Sequence, residues 1–276
     1  MPTVKRPMDV GGRMIRAEGG TPESQWLDSH LLQGAAACTA ESLVPPECRA
    51  VIVAPHPDDE VLACGGLIAE LARLGRPMCV VAVTDGTASH PGSTLWPRTR
   101  LERERPLESA HALALLTDQA ETDAPAQDPA ARGTPLVSIV RLGEPDGALA
   151  HCHDRLAERL RELLDPQDVV FTTWRLDGHP DHEATGHACA WATARNGARL
   201  FETPVWGWHW AQPGDARIPW QRAHRLPLPV STLSRKRAAL RAFRSQLTPD
   251  PSTGRGPTLT HAALARVARP FEIFFG

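Results

Sequence analysis

The sequence lacks tyrosine altogether and contains only two lysines, Lys5 and Lys236, among its 276 residues. Arginine therefore carries almost all of the positive charge, and the formal net charge at pH 7 is -2. A chain without an excess of positive charge lacks the electrostatic footprint of a nucleic-acid-binding protein. Hydrophobic residues make up 42% and charged residues 22% of the chain, which is an ordinary globular composition.

Three further absences narrow the class of protein. No apolar run of about 20 residues is present, which excludes a transmembrane helix. Residues 1–14 mix charges with proline and glycine, unlike the apolar core of a signal peptide. The six cysteines form no CxxC pair, which argues against a zinc ribbon or a disulfide scaffold. Six thiols without an export signal predict a cytoplasmic protein.

Apolar runs and amphipathic segments alternate from residue 50 onward, which predicts an α/β fold. We expect a Rossmann-like, mostly parallel sheet flanked by helices, in a single domain over residues 46–276. Residues 1–45 are expected to form an N-terminal extension with one helix from Thr21 to about Ala37, and residues 118–135 an exposed insertion. Strands are predicted at 50–54, 78–84, 136–142, 168–174, 200–206 and 222–230, and helices at 61–74, 99–117, 151–164, 181–195 and 234–246.

Two polar loops follow apolar strands of this pattern. The first reads PHPDDE at residues 55–60, and the second reads GHPDHE at residues 178–183. Ligands of open parallel sheets bind at the carboxyl ends of the strands, so both loops should lie on one rim, with those at 85–98 and 143–150. Either loop alone could be a turn whose aspartate caps the next helix. Together they leave too many charges unpaired unless a cation is bound, and histidine and aspartate suit zinc or a similar divalent metal.

The two motifs in combination resemble the LmbE-like, or PIG-L, superfamily of zinc-dependent N-acetylglucosaminyl deacetylases. Four weaker matches extend the resemblance over most of residues 50–247: CGG at 64–66, TDG at 84–86, LGEPDG at 142–147 and the segment from Lys236 to Gln246. The resemblance implies residue roles as well as an activity. His56, Asp59 and His182 would hold Zn²⁺, with Fe²⁺ possible for the same ligands. Asp58 would be the general base, His179 would stabilise the oxyanion or act as an acid, and Asp181 would orient His179.

The substrate contacts implied by the resemblance are less specific. Some members place a tyrosine two residues before the first histidine of the second motif, where this chain has Asp177. Any step assisted by the phenol is therefore either absent here or uses another donor. An RxxE pair that places the sugar fits Arg105 best, with Arg100 as a rival. Either arginine could equally lie on a solvated helix face. The candidate substrate contacts are Arg105, Asp146, Asp177 and Trp96. Trp96 lies in the loop after the second predicted strand, and we expect it at the rim of the pocket.

Trp206, Trp208 and Trp210 alternate along the chain, and on a strand they would share one face. Such a face could stack on sugar rings, or it could belong to the core or to a subunit interface. The sequence leaves these alternatives open.

The function predicted from these observations is removal of an acetyl group from a small N-acetylglucosamine-type conjugate by a metal-dependent hydrolase. Two alternatives remain: an amidase acting on another amide, such as a thiol conjugate or an acylated antibiotic, and a glycan-binding protein without turnover. A glycan-binding protein needs the metal ligands but not the additional carboxylate of Asp58. The presence of Asp58 therefore favours an enzyme. Self-association is possible.

Overall fold

The computed structural model describes residues 12–15, 19–118 and 136–276. Its strands form one eight-stranded sheet in the order β1-β7-β8-β6-β5-β2-β3-β4. The strands are β1 (Ala36–Ala37), β2 (Ala50–Ala54), β3 (Met78–Thr84), β4 (Val137–Glu144), β5 (Val169–Thr173), β6 (Arg199–Thr203), β7 (Ala223–Pro227) and β8 (Phe271–Phe275).

The centre of the sheet is parallel. β2 pairs in parallel with β3 on one side and with β5 on the other, and β3–β4, β5–β6 and β1–β7 are also parallel. Only β8 runs antiparallel to its neighbours β6 and β7 among the described strands. Every residue of β2 is buried, as expected for a strand covered by helices on both faces. The predicted fold class is confirmed.

Helices cover both faces of the sheet. They are α1 (Glu23–Leu27), α2 (His30–Gln33), α3 (Ala40–Leu43), α4 (Asp59–Arg73), α5 (Arg98–Thr117), α6 (His153–Leu163), α7 (Pro180–Asn196), α8 (Gly207–Trp210), α9 (Val230–Leu240), α10 (Arg244–Leu247) and α11 (His261–Val267). Side chains alternate between faces along β2: Ile52 packs with α4, α5 and α9, whereas Val51 and Val53 pack with α6 and α7. Among the described residues, no helix is long and apolar enough to cross a bilayer.

The segment before residue 45 differs from the single helix predicted for it. α1 ends at Leu27, and Ser29 caps α2 by accepting a hydrogen bond from the Leu31 amide. Ala36 and Ala37 then pair with β7, so this segment extends the sheet. A serine favours a helix start over a helix interior, which explains the break.

Two other differences lie towards the end of the chain. The long helix expected at 234–246 begins at Val230 and is divided into α9 and α10. Strand β8 and helix α11 were not predicted. The expected insertion lies outside the described residues apart from Asp118.

A buried ion pair connects α9 to β8. Lys236 Nζ lies 2.6 Å from Glu272 Oε1 and donates to the Leu62 carbonyl, and both charged side chains are almost inaccessible to solvent. Glu272 also accepts hydrogen bonds from the Gly66 and Leu67 amides of α4. A β-carbon at Gly66 would lie 3.0 Å from the Glu272 carboxyl carbon, so the glycine permits this close approach.

We expect Lys236→Met to destabilise the fold by about 3–5 kcal/mol, because it leaves the Glu272 carboxylate buried without its cation. Urea unfolding followed by circular dichroism measures the loss. The double variant with Glu272→Gln should recover part of it, since the uncompensated charge is then gone. Equal stability of Lys236→Met and the wild type would show that the pair contributes nothing.

Candidate active site

The two polar motifs meet at the carboxyl edge of the sheet because β2 and β5 are adjacent and parallel. The first motif connects β2 to α4, which begins at Asp59, and the second lies between β5 and α7, which begins at Pro180. The loops after β3 and β4 reach the same rim, where Gly147 and Ala88 contact residues of the site. The predicted convergence of these four loops is therefore observed.

Two imidazoles converge on one carboxylate. Asp59 Oδ2 lies 3.0 Å from His56 Nδ1 and 3.2 Å from His182 Nε2. Asp59 and His182 are buried, and the His56 side chain is 12% exposed. The three residues that the resemblance implied as metal ligands are thus neighbours, with Asp59 Oδ2 in contact with both histidines.

Each of these histidines also contacts a carboxylate through its other ring nitrogen. His56 Nε2 lies 3.1 Å from Asp181 Oδ2 and 3.2 Å from Asp146 Oδ1. His182 Nδ1 lies 2.8 Å from Asp177 Oδ2. Metal-bound histidines usually have such a carboxylate partner, which sets the tautomer and orients the ring.

The electrostatics of this cluster favour a cation. Burial opposes charge on His182, but Asp59 and Asp177 raise its pKa to about 9. Burial likewise opposes charge on Asp59, yet the charge on His182 and hydrogen bonds from both histidines hold the pKa of that carboxyl far below its usual range. A divalent metal supplies the same positive charge, and two nitrogens with one carboxylate oxygen are donors that zinc and iron(II) accept. The residues present therefore fit a metal.

Among the described residues, two groups of donor atoms lie close enough together to hold a metal; both include His56, and neither includes Asp59. In the first, His179 replaces Asp59, but its Nδ1 already accepts a hydrogen bond from the Asp181 amide. In the second, Asp146 and Asp181 join His56, but their oxygens accept hydrogen bonds from backbone amides. Asp59 Oδ2 likewise accepts a backbone hydrogen bond, from the His56 amide, so these contacts do not separate the three candidate ligand groups.

Asp58 has a strained backbone, with φ at +141°, a region that residues other than glycine rarely adopt. Arg105 holds this conformation by donating to the Pro57 carbonyl and to Asp58 Oδ2, and Glu60 accepts from the Asp58 amide. Burial raises the pKa of Asp58 to about 7, with the charge of Arg105 opposing the rise and that of Asp59 adding to it. A carboxyl group whose pKa lies near neutrality suits proton transfer, and stored strain is common at active sites.

His179 is held as a neutral imidazole. Burial lowers its pKa to about 3, and the neighbouring His182 and His56 contribute to the decrease. Its Nδ1 accepts the Asp181 amide hydrogen, so the proton of the neutral ring is on Nε2. The ring centroid lies 4.9 Å from those of both His56 and His182. His179 can therefore donate a hydrogen bond next to the candidate metal site.

The structure corrects two expectations about aspartates. Asp181 was expected to orient His179, but its carboxylate contacts His56 and only its backbone amide reaches His179. Asp177 was expected to contact the substrate, but it is fully buried. Its oxygens accept hydrogen bonds from His182 and from the Val205, Trp206 and Gly207 amides.

The remaining candidate substrate contacts have different surroundings. Arg105 and Asp146 line the cavity beside the site, although each is already engaged with Asp58 or His56. Trp96 is buried outside the cavity lining, with Arg100 4.0 Å above its ring, so the expectation of a rim position is wrong.

The tryptophan segment is a helix and not a strand. The Asp177 carboxylate accepts hydrogen bonds from the Val205 and Gly207 amides at the start of α8. A negative charge at the N-terminus of a helix stabilises the helix. Trp208 packs in the core, where its carbonyl accepts a hydrogen bond from Trp26, and Trp210 stacks on Trp174. Trp206 alone of the three lines the cavity. The shared aromatic face is therefore not formed.

The cavity beside the site has a volume of about 850 Å³. Its walls include side chains that carried no sequence signal, because the loops that contribute them match no motif. These residues are Ile15, Ser89, His209 and the segment 255–260. Trp206, from the tryptophan segment considered above, lines the cavity as well. Gln246, which lay in a segment covered by the resemblance, also lines it.

Comparison with known proteins identifies the family. The family model described as "PIG-L: GlcNAc-PI de-N-acetylase" matches residues 51–193, which is more than half of the chain. The chain belongs to the PIG-L family. Both metal motifs lie within the matched region, so the family, and the N-deacetylase activity inferred from it, are confirmed.

A curated relative within this enzyme class is the 1D-myo-inositol 2-acetamido-2-deoxy-alpha-D-glucopyranoside deacetylase of Corynebacterium diphtheriae. It is 29% identical over 252 residues, which cover 80% of this chain and 84% of the relative.

Two solved structures share the PIG-L fold of this chain. The conserved protein TT1542 of Thermus thermophilus is 24% identical with a TM-score of 0.53, covering 82% of this chain and 93% of that one. The N,N'-diacetylchitobiose deacetylase of Pyrococcus horikoshii is 20% identical with a TM-score of 0.51, covering 81% and 76%.

Proposed function

We propose that this PIG-L enzyme hydrolyses the 2-acetamido group of a glucosaminide, with zinc held by His56, Asp59 and His182. The observation that carries the proposal is the convergence of two carboxylate-supported histidines on Asp59, directly beside the strained Asp58 and the neutral His179. The division into an N-terminal extension, residues 1–45, and a deacetylase domain, residues 46–276, belongs to the same proposal.

The reaction needs water to attack the acetamide carbonyl, a donor for the developing oxyanion and a proton for the leaving amine. When bound, zinc polarises the carbonyl and lowers the pKa of water. Asp58 accepts the proton of the attacking water, and the same carboxyl group returns it to the amine nitrogen. His179 donates its Nε2–H to the carbonyl oxygen as negative charge develops there.

Arg105 acts in this scheme through Asp58. Its guanidinium is buried and donates to Asp58 Oδ2, to the Pro57 carbonyl and to the Gly86 carbonyl. These contacts fix the carboxylate and maintain its strained backbone. We therefore assign Arg105 as a positioning residue for the base, in place of the direct sugar contact expected from the sequence.

The substrate class follows from the relatives and from the cavity. The curated relative is named for a glucopyranoside of inositol and one structural neighbour for diacetylchitobiose, so both named substrates join an acetamido sugar to a second hydroxylated ring. A cavity of about 850 Å³ lies towards the upper end of the ~300–1,000 Å³ range for ligand sites. We propose a 2-acetamido-2-deoxyglucoside whose aglycone is also a ring.

The test is acetate release from a panel of N-acetylglucosaminides by purified, zinc-loaded enzyme. We expect release from glycosides with a ring aglycone, faster than from free N-acetylglucosamine. No release from any glycoside by enzyme that contains zinc would contradict the proposal. It would then favour another amide, such as a thiol conjugate or an acylated antibiotic, or glycan binding without turnover.

Removing the metal should abolish acetate release and lower the melting temperature. Without the metal, only protonated histidines compensate the buried carboxylates around His56 and His182. A metal bound only by the folded state stabilises that state by mass action. Dialysis against a chelator, followed by zinc or anaerobic iron(II), measures the loss and which metal restores the rate. Full activity in metal-free enzyme would contradict the assigned centre.

A further inference from the structure

The N-terminal segment, defined here as residues 12–15, lies against the second motif. Arg13 Nη2 is 3.1 Å from Glu183 Oε1 and 3.3 Å from Glu183 Oε2, and both side chains are less than one-fifth exposed. Glu183 directly follows the candidate ligand His182. The contact between Arg13 and Glu183 therefore places the N-terminal segment beside the catalytic groups.

Gly178 makes this placement possible. Its φ is +93°, and a β-carbon there would lie 2.8 Å from the Arg13 carbonyl oxygen. Any other residue would push the N-terminal segment away from the motif loop. The Gly178 amide also donates to Glu183 Oε1, so the same carboxylate joins the loop, the helix and the N-terminal segment.

The next described stretch of the chain is anchored as well. Arg266, which is buried, donates to the carbonyls of Gly19 and Thr21, and the Thr21 amide donates to the His209 carbonyl. The N-terminal segment is thus held at Glu183, and the next described stretch, which begins at Gly19, is held at Arg266.

The side chains of the N-terminal segment alternate in their surroundings. Ile15 lines the active-site cavity, whereas the neighbouring Met14 is exposed and lies outside the lining of that cavity. The other apolar lining side chains include Trp206, Pro257 and Leu259, which come from distant parts of the chain. None of these can perform acid–base or metal chemistry, so they can act on a ligand only by packing.

We propose that the N-terminal segment is a fixed wall of the aglycone subsite, with Ile15 packing against a ring-shaped aglycone. The inference rests on the proposed function, because the acetamide must lie at Asp58 and His179. The sugar ring and its aglycone must then contact the other walls of the cavity. Arg13 is a positioning residue that holds Ile15 in place through Glu183.

The test compares the affinities of methyl and phenyl 2-acetamido-2-deoxy-glucopyranoside, measured by calorimetry in full-length, zinc-loaded Asp58→Asn enzyme. Ile15→Ala should weaken binding of the phenyl glycoside about tenfold more than that of the methyl glycoside, because three carbons of a partly exposed contact are lost. Met14→Ala is the matched control and should change neither affinity. Arg13→Gln should reproduce the selective loss, and Arg13→Lys should restore affinity for the phenyl glycoside.

If Ile15→Ala weakened the binding of both glycosides equally, or of neither, the proposal that the N-terminal segment forms a wall of the aglycone subsite would be wrong. If the Asp58→Asn enzyme with Ile15 intact bound neither glycoside, both this inference and the proposed function would be contradicted. If Ile15→Ala weakens the phenyl glycoside selectively but wild-type enzyme releases no acetate, only the proposed function fails.

Discussion

Asp58→Asn is expected to lower kcat for acetate release by about 10³-fold while zinc content stays unchanged. Asparagine has nearly the shape of aspartate and can still accept the hydrogen bond from Arg105, so the strained loop should persist. It cannot take a proton from water, because an amide is not a base at neutral pH. Zinc content is measured by atomic absorption, and the rate by coupled acetate detection.

Asp85→Asn is the matched control for this experiment. Asp85 follows β3 on the same rim but pairs with Arg141 outside the active-site cavity. Its replacement should leave kcat within about twofold of the wild type, since surface pairs contribute little. Normal turnover by Asp58→Asn would show that another group accepts the proton.

His182→Ala is expected to remove the metal and the activity together. The alanine variant loses one of three ligands and leaves Asp59 and Asp177 buried without their shared partner. Zinc affinity, measured by competition with a chromophoric chelator, should become too weak to detect at micromolar protein. His187→Ala on the same helix is the control, because His187 is exposed and lies outside the cavity lining.

Asp177→Asn should give an intermediate result, with zinc affinity about 10- to 100-fold weaker and activity recovered at high zinc. The asparagine oxygen can still accept the Val205 and Gly207 amides. Its NH2 group cannot accept the hydrogen bonds that Asp177 Oδ2 takes from the Trp206 amide and His182, and it supplies no charge to His182. If the His182→Ala variant still bound one zinc per chain, His182 would not be a ligand. Another group that includes His56, such as the one with Asp146 and Asp181, would then hold the metal.

The candidate site was largely predictable where its residues are local in the sequence. His56, Asp58 and Asp59 lie within four consecutive positions after a buried strand, and His179 and His182 occupy the equivalent place after another. Because parallel strands direct their following loops to one edge, adjacency of β2 and β5 is enough to bring these groups together.

The supporting contacts were not predictable in the same way. Both Asp177 and Asp181 lie in or next to the second motif, yet one contacts His182 and the other contacts His56 across the sheet edge. The family resemblance implied that Asp181 orients His179, which is two positions away. The direction of each carboxylate depends on the backbone amides that surround it, and those come from residues 147–149 and 205–207.

The sequence by itself determined the alternation of strands and helices, the two motifs and the donor types, because burial pattern and ligand chemistry are properties of short segments. Only the tertiary structure decided which carboxylate supports which histidine, that the segment from Trp206 to Trp210 is a helix, and that Ile15 lines the cavity. These features depend on contacts between residues far apart in the chain, since a buried carboxylate or a cavity wall is defined by what packs around it.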